Sequence, residues 1–183
     1  MLTVYPDQPY DQPEVVHPIN GMPIVTPKNC GDFFRLFPKE ERVLELVRQK
    51  AANGERVLIY TSWTRTDSQK KLQELLCSEG YRTEILTPQI ATDKREDWVN
   101  KRVKNGLQVL ITNPRCVETG LDLNAFTTII FYSMGYNLFT LRQASRRSWR
   151  INQTAPRVEV YMLYYADTCL LYTSPSPRDK RQS

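Results

Sequence analysis

Between residues 39 and 168, apolar positions follow two alternating rhythms. In "KEERVLELVRQKAAN" (39–53), Val43, Leu44, Leu46 and Val47 form one stripe at helical spacing, and Gly54 follows as a stop. "SQKKLQELLCSEG" (68–80) repeats the pattern and stops at Gly80. "TDKREDWVNKRVKNG" (92–106) predicts a third helix, capped by Thr92 or Asp93 and closed by Gly106. Between these lie short apolar runs: "RVLIY" (56–60), "TEIL" (83–86), "QVLIT" (108–112), "TIIFY" (128–132) and "VEVYMLYY" (158–165). A further amphipathic helix is predicted around 138–150. Most of the strands are continuously apolar, which predicts cover on both faces. Strands alternating with helices imply βαβ units on a parallel sheet. The expected fold class is α/β, a three-layer α/β/α domain with a mostly parallel sheet.

Composition marks off two flanks. Residues 1–38 hold seven of the twelve prolines and little periodicity, so they read as a Pro-rich arm or interdomain linker. Residues 169–183, "CLLYTSPSPRDKRQS", break with everything before them. The run "CLLYTSPSPRD" resembles the translation of a transposase adapter used in sequencing libraries. This tail is therefore read as adapter-derived and non-native, and the natural protein is expected to continue beyond residue 168. The functional domain is taken as 39–168.

Candidate chemistry follows from topology. Open parallel sheets bind ligands beyond the carboxyl ends of their strands. Here those positions are Thr61-Ser62-Trp63-Thr64-Arg65, Thr87, and Asn113-Pro114-Arg115 with Thr112 before them. Hydroxyls and arginines suit contacts to a nucleic-acid backbone, although Ser and Thr are also common in ordinary loops. Trp63 either stacks on a base or covers the sheet edge.

The strongest charge signal is "QASRRSWRINQ" (143–153). No Asp or Glu occurs from Leu123 to Val158, while Arg142, Arg146, Arg147, Arg150 and Arg157 all do. On a helix, with Gln143 at the origin, Arg147 falls at about 40° and Arg150 at about −20°, so the three share a face. Leu138, Leu141, Ser145, Ser148 and Trp149 take the other half. Solvated charged faces usually mix signs, because like charges one turn apart repel. An acid-free arginine cluster fits a phosphate, which guanidinium forks bind bidentately.

Several classes are disfavoured. The net charge of +5 permits nucleic-acid contact without demanding it. Cysteines 30, 77, 116 and 169 contain no C-x-x-C pair, and His17 is the single histidine, so a zinc site or a His-based catalytic unit has little support. The cysteine pattern suits a reducing, cytoplasmic setting. No signal peptide or membrane-length apolar run is visible. The chain has no G-x-x-x-x-G-K-[ST] loop, no Gly-Lys dipeptide and no D-E-x-[HD] run for magnesium. The arginines thus lack the rest of a nucleotide site and look like fingers for a site built by another lobe.

These motifs resemble a known family. "QASRRSWRINQ" is similar to motif VI of superfamily 2 helicases, Q-x-x-G-R-x-x-R, and closer to the Swi/Snf-type form Q-A-x-D-R-x-H-R-I-G-Q. "VLITNPRCVETGLDL" resembles motif V, and "RVLIYTSWT" resembles motif IV. The resemblance covers residues 39–166 and implies the second, RecA-like lobe of a DNA-dependent ATPase. It implies Arg147 and Arg150 as catalytic arginines, with Arg150 the finger on the γ-phosphate. It implies Gln143, Gly120 and Asp122 at the nucleotide, and Thr61, Ser62, Thr87 and Thr112 at the nucleic acid, to which the strand-end loops add Arg115. ATP with Mg2+ would be held mainly by the first lobe. DNA is the implied partner, with RNA open. Arg146, Trp149 and Asn152 depart from the family pattern, as does Val117-Glu118-Thr119 in motif V. The competing reading is a standalone nucleic-acid or phosphate-binding module without motor function.

Overall fold

In the computed structural model, the described residues are 15–25, 36–62, 68–117, 121–133 and 157–165. A short hairpin pairs β1 (Val15–Val16) with β2 (Pro23–Val25), antiparallel. The domain then runs α1 (Pro38–Ala52), β3 (Val57–Tyr60), α2 (Ser68–Ser78), β4 (Thr83–Leu86), a 3-10 turn (Thr92–Lys94), α3 (Arg95–Lys104), β5 (Val109–Thr112), a second 3-10 turn (Pro114–Val117), β6 (Thr128–Phe131) and β7 (Glu159–Met162). The predicted arm therefore contains a hairpin, within a stretch whose periodicity is too short to reveal it.

Five strands form one sheet in the order β4-β5-β3-β6-β7, and every pairing is parallel. Pleating sends alternate residues to opposite faces. Val57, Ile59, Val109, Ile111, Ile130 and Tyr132 meet Val43, Leu46 and Val47 of α1 and Leu72 and Leu76 of α2 on one face. Leu58, Tyr60, Leu110, Ile129 and Phe131 meet Val99 of α3 and the segment containing Val117, Leu121, Leu123 and Phe126 on the other. The central strands are thus covered on both sides, which explains their continuous apolar runs. Each side chain buried this way contributes about 1.5–3 kcal/mol. The expected three-layer α/β fold is the observed one. Among the described residues, no helix is long and apolar enough to cross a membrane.

Helix punctuation agrees with the pattern at the carboxyl ends. Gly80 and Gly106 carry φ of +88° and +87°, a left-handed conformation that closes a helix and that a Cβ would strain. At the amino ends it is less regular. Pro38 occupies the first turn of α1, and the Glu40 carboxylate accepts the Phe37 N–H at 2.9 Å. The third helix does not begin on a Thr92 or Asp93 cap as predicted. These residues form a 3-10 turn, and α3 starts at Arg95 without a side-chain cap. The entrance is tied from inside by the Arg95 guanidinium, which donates to the carbonyls of Ile90 and Cys116 at 2.9 Å and of Pro88 at 3.4 Å.

Two polar networks tie the helices in place, one between α1 and α2 and one between α1 and the sheet. Lys71 of α2 lies 2.9 Å from the buried Glu40 carboxylate of α1 and 4.6 Å above the Phe37 ring. At the other end of α1, Lys50 meets Glu159 of β7 at 2.5 Å and Glu55 at 3.7 Å, and Tyr161 donates to Glu159 at 2.6 Å. Burial is the largest influence on Lys50 and opposes its charge, but Glu159, Glu55 and Tyr161 together hold its pKa above the ordinary 10.5. The hydrogen bond from Lys50, then that from Tyr161, holds the Glu159 carboxyl below 4.5.

Candidate nucleic-acid and nucleotide interface

The carboxyl ends of β3, β5 and β6 lie side by side. The helix α2 that follows β3 packs on one face, and residues 113–117 and 121–127, which follow β5, pack on the other. The two connections diverge there, which is the crevice where open α/β sheets take ligands. Hydrogen bonds stitch these ends together. The Thr61 N–H donates to the Thr112 carbonyl at 2.9 Å. Ser62 and Ser133 bond reciprocally: the Ser62 N–H donates to Ser133 Oγ at 2.7 Å, and Ser62 Oγ donates to the Ser133 carbonyl at 2.9 Å. Asn113 Nδ2 donates to the Ser62 carbonyl at 3.1 Å, while Asn113 Oδ1 accepts the Arg115 N–H at 2.9 Å. Ser62, just after β3, is thereby held from both neighbouring strands.

The five residues expected at a nucleic acid all lie on this edge, but in different environments. Thr61 and Thr112 are fully buried. Gln69 Nε2 donates to Thr61 Oγ1 at 2.6 Å, and Thr112 Oγ1 donates to the Leu86 carbonyl at 3.0 Å. Both hydroxyls therefore brace the loops from within. Ser62 and Thr87 are half-buried, and Arg115 is exposed. Asp122 is half-buried, just before the apolar pair Leu123 and Phe126 that anchors its segment to the sheet. Gln143, Arg147, Arg150 and Gly120 lie outside the described residues, as do Trp63, Thr64, Arg65, Arg142 and Arg146.

Four residues acting behind this edge escaped the reading of the sequence. Asn113 stood in a recognised loop, but its role as a brace needs the neighbouring strand. Ser133 carries no signal beyond closing a strand. Gln69 and Arg95 fall within predicted helices without a signal of their own, yet both turn inward to bond neighbouring loops.

Among the described residues no three His, Cys, Asp or Glu side chains converge as a metal needs. The edge offers hydroxyls, amides and a guanidinium, which suit phosphate oxygens.

Comparison with known proteins sharpens this picture. A family model described as the helicase conserved C-terminal domain matches residues 38–152. The chromatin-remodeling ATPase INO80 of Mus musculus is 28% identical over 156 residues, covering 80% of this chain and 10% of that protein. The INO80 of Emericella nidulans is 31% identical over 125 residues, covering 68% of this chain and 8% of its own length. The chain therefore spans about a tenth of the length of the curated relatives it matches. Among solved structures, the C-terminal part of the Fun30 ATPase domain superposes with a TM-score of 0.67 at 20% identity, covering 74% of this chain and 43% of that one. At that identity the likeness concerns the RecA-like α/β fold.

Proposed function

The chain belongs to the helicase conserved C-terminal domain family, in its Swi/Snf-type branch, and from that premise we propose that it is the second motor lobe of an ATP-dependent DNA translocase or helicase. The observation that carries this reading is the continuous family match over 38–152. It joins the loops braced on the sheet edge to the arginine-bearing segment in one unit. In this reading Arg150 lies against the γ-phosphate and stabilises the charge developing there, as a guanidinium does in phosphoryl transfer. Arg147 binds the neighbouring phosphate oxygens. Gln143, Gly120 and Asp122 tie the arginine segment to the nucleotide. Magnesium, when bound, neutralises phosphate charge and belongs to a P-loop lobe elsewhere in the protein.

The nucleic acid runs over the braced edge. Thr87 and Arg115 reach toward backbone phosphates, with Thr61, Ser62 and Thr112 holding their loops in place, since the Ser62 hydroxyl hydrogen is already given to the Ser133 carbonyl. Such contacts position a duplex without reading its sequence. The INO80 relatives are named chromatin-remodeling ATPases, which favours DNA over RNA. Nucleotide-gated closure of two lobes would then step the protein along the backbone.

The test is DNA-stimulated ATP turnover in the intact protein that joins this lobe to its P-loop partner. Arg150→Ala is expected to lower turnover by roughly 10³–10⁵-fold while ATP still binds. The lobe alone is expected to bind DNA weakly and to hydrolyse nothing. Unchanged turnover in the Arg150 variant would leave a standalone phosphate- or nucleic-acid-binding module as the better account.

A further inference from the structure

Arg95 is buried, with 8% of its surface exposed, and among the described residues no carboxylate pairs with it. A buried guanidinium without a counter-charge is costly unless its donors are filled. Here three carbonyl oxygens accept from it. Nε donates to Ile90 O at 2.9 Å, Nη1 to Cys116 O at 2.9 Å and Nη2 to Pro88 O at 3.4 Å. Two of these carbonyls belong to the loop that leaves β4 after Thr87. The third belongs to the 3-10 turn after β5 that contains Arg115. A single planar fork thus grips two loops. Both start in register: Leu86 pairs with Thr112 at the strand ends, and Thr112 Oγ1 adds a second tie to the Leu86 carbonyl.

We propose that Arg95 is a positioning residue for nucleic-acid binding, clamping the loop after β4 against the turn after β5 so that Thr87 and Arg115 present one backbone-binding surface. This rests on the reading of that edge as the nucleic-acid face. Arginine is suited to the task because its rigid, planar fork reaches three carbonyls at fixed mutual angles. A lysine keeps the charge and most of the stem but offers a single point of attachment, so the two loops are no longer held at one spacing.

The experiment is a double-mutant cycle on this chain, read as binding of a fluorescent DNA duplex at low salt. Arg115→Ala is expected to weaken binding roughly three- to tenfold and to reduce the salt dependence by about one phosphate contact. Arg95→Lys is expected to weaken binding by a similar factor in the parent chain, and to add little in the Arg115→Ala background. A role in general stability would lower both backgrounds equally. Should Arg95→Lys lose the native circular dichroism spectrum, Thr112→Val replaces it in the same cycle, because it releases the second tie between the same loops. Equal losses in both backgrounds, or no loss from a folded variant, would overturn the clamp while leaving the DNA face intact. No effect of Arg115→Ala would overturn the DNA face and the clamp with it.

Discussion

Glu159 shows how much one side chain at the sheet edge can organise. It accepts from Lys50 and Tyr161 and lies 2.9 Å from Arg157. Its carboxyl is held below 4.5, so its contribution is present above that value and is lost as pH falls through the lower folded value. Lys50 is held above 10.5, so its contribution is complete below that value and is lost as pH rises through the higher folded one. The network therefore stabilises the docking of β7 evenly through the neutral range and fails at both extremes. Urea denaturation across a pH series checks this. Glu159→Gln is expected to flatten the acid limb relative to the parent. An acid limb of unchanged steepness would assign the loss to other carboxylates. None of this was visible along the chain, because Lys50 and Glu159 are far apart in sequence and meet only when β7 joins the sheet.

Among the elements, α1 and α2 are joined by a pair that hydrophobic patterning alone does not reveal. Leu46, Val47, Leu72 and Leu76 sit on the stripes that face the sheet, as their spacing requires. Glu40 and Lys71 lie outside those stripes, yet both are buried and bonded to each other. Removing one partner leaves the other as a buried charge, so Glu40→Ala is expected to cost about 3–5 kcal/mol in chemical denaturation. Replacing the pair together, Glu40→Leu with Lys71→Met, is expected to recover most of that loss. If the double variant is as unstable as the single one, the pair supplies more than mutual neutralisation. The third helix taught the same lesson at its entrance, where an inward arginine stands in place of the expected Thr92 or Asp93 cap.

For the whole molecule, the strand order places β3 at the centre and β4 and β7 at the edges. Hydrogen exchange is expected to be slowest in β3 and faster in β4 and β7, since edge strands open more readily. Ile111→Ala, in the fully buried interior, is expected to cost about 2–5 kcal/mol. Protection spread evenly across all five strands would contradict a core centred on β3. The same order makes the β3 and β5 connections diverge, and that divergence locates the candidate site.

The period of apolar positions was enough to determine α1, α2, α3 and the five parallel strands of the main sheet, because these are written in local spacing, while contiguous motifs carried the family. It also placed Ser62, Thr87 and Arg115 at strand ends, since strand polarity follows from βαβ order. Tertiary structure alone decided which hydroxyls face inward, as for Thr61 and Thr112, and which polar residues brace the loops, as for Asn113, Ser133, Gln69 and Arg95. Those roles depend on hydrogen bonds between segments distant in sequence. A polar side chain is spelled the same whether it meets water or a buried carbonyl.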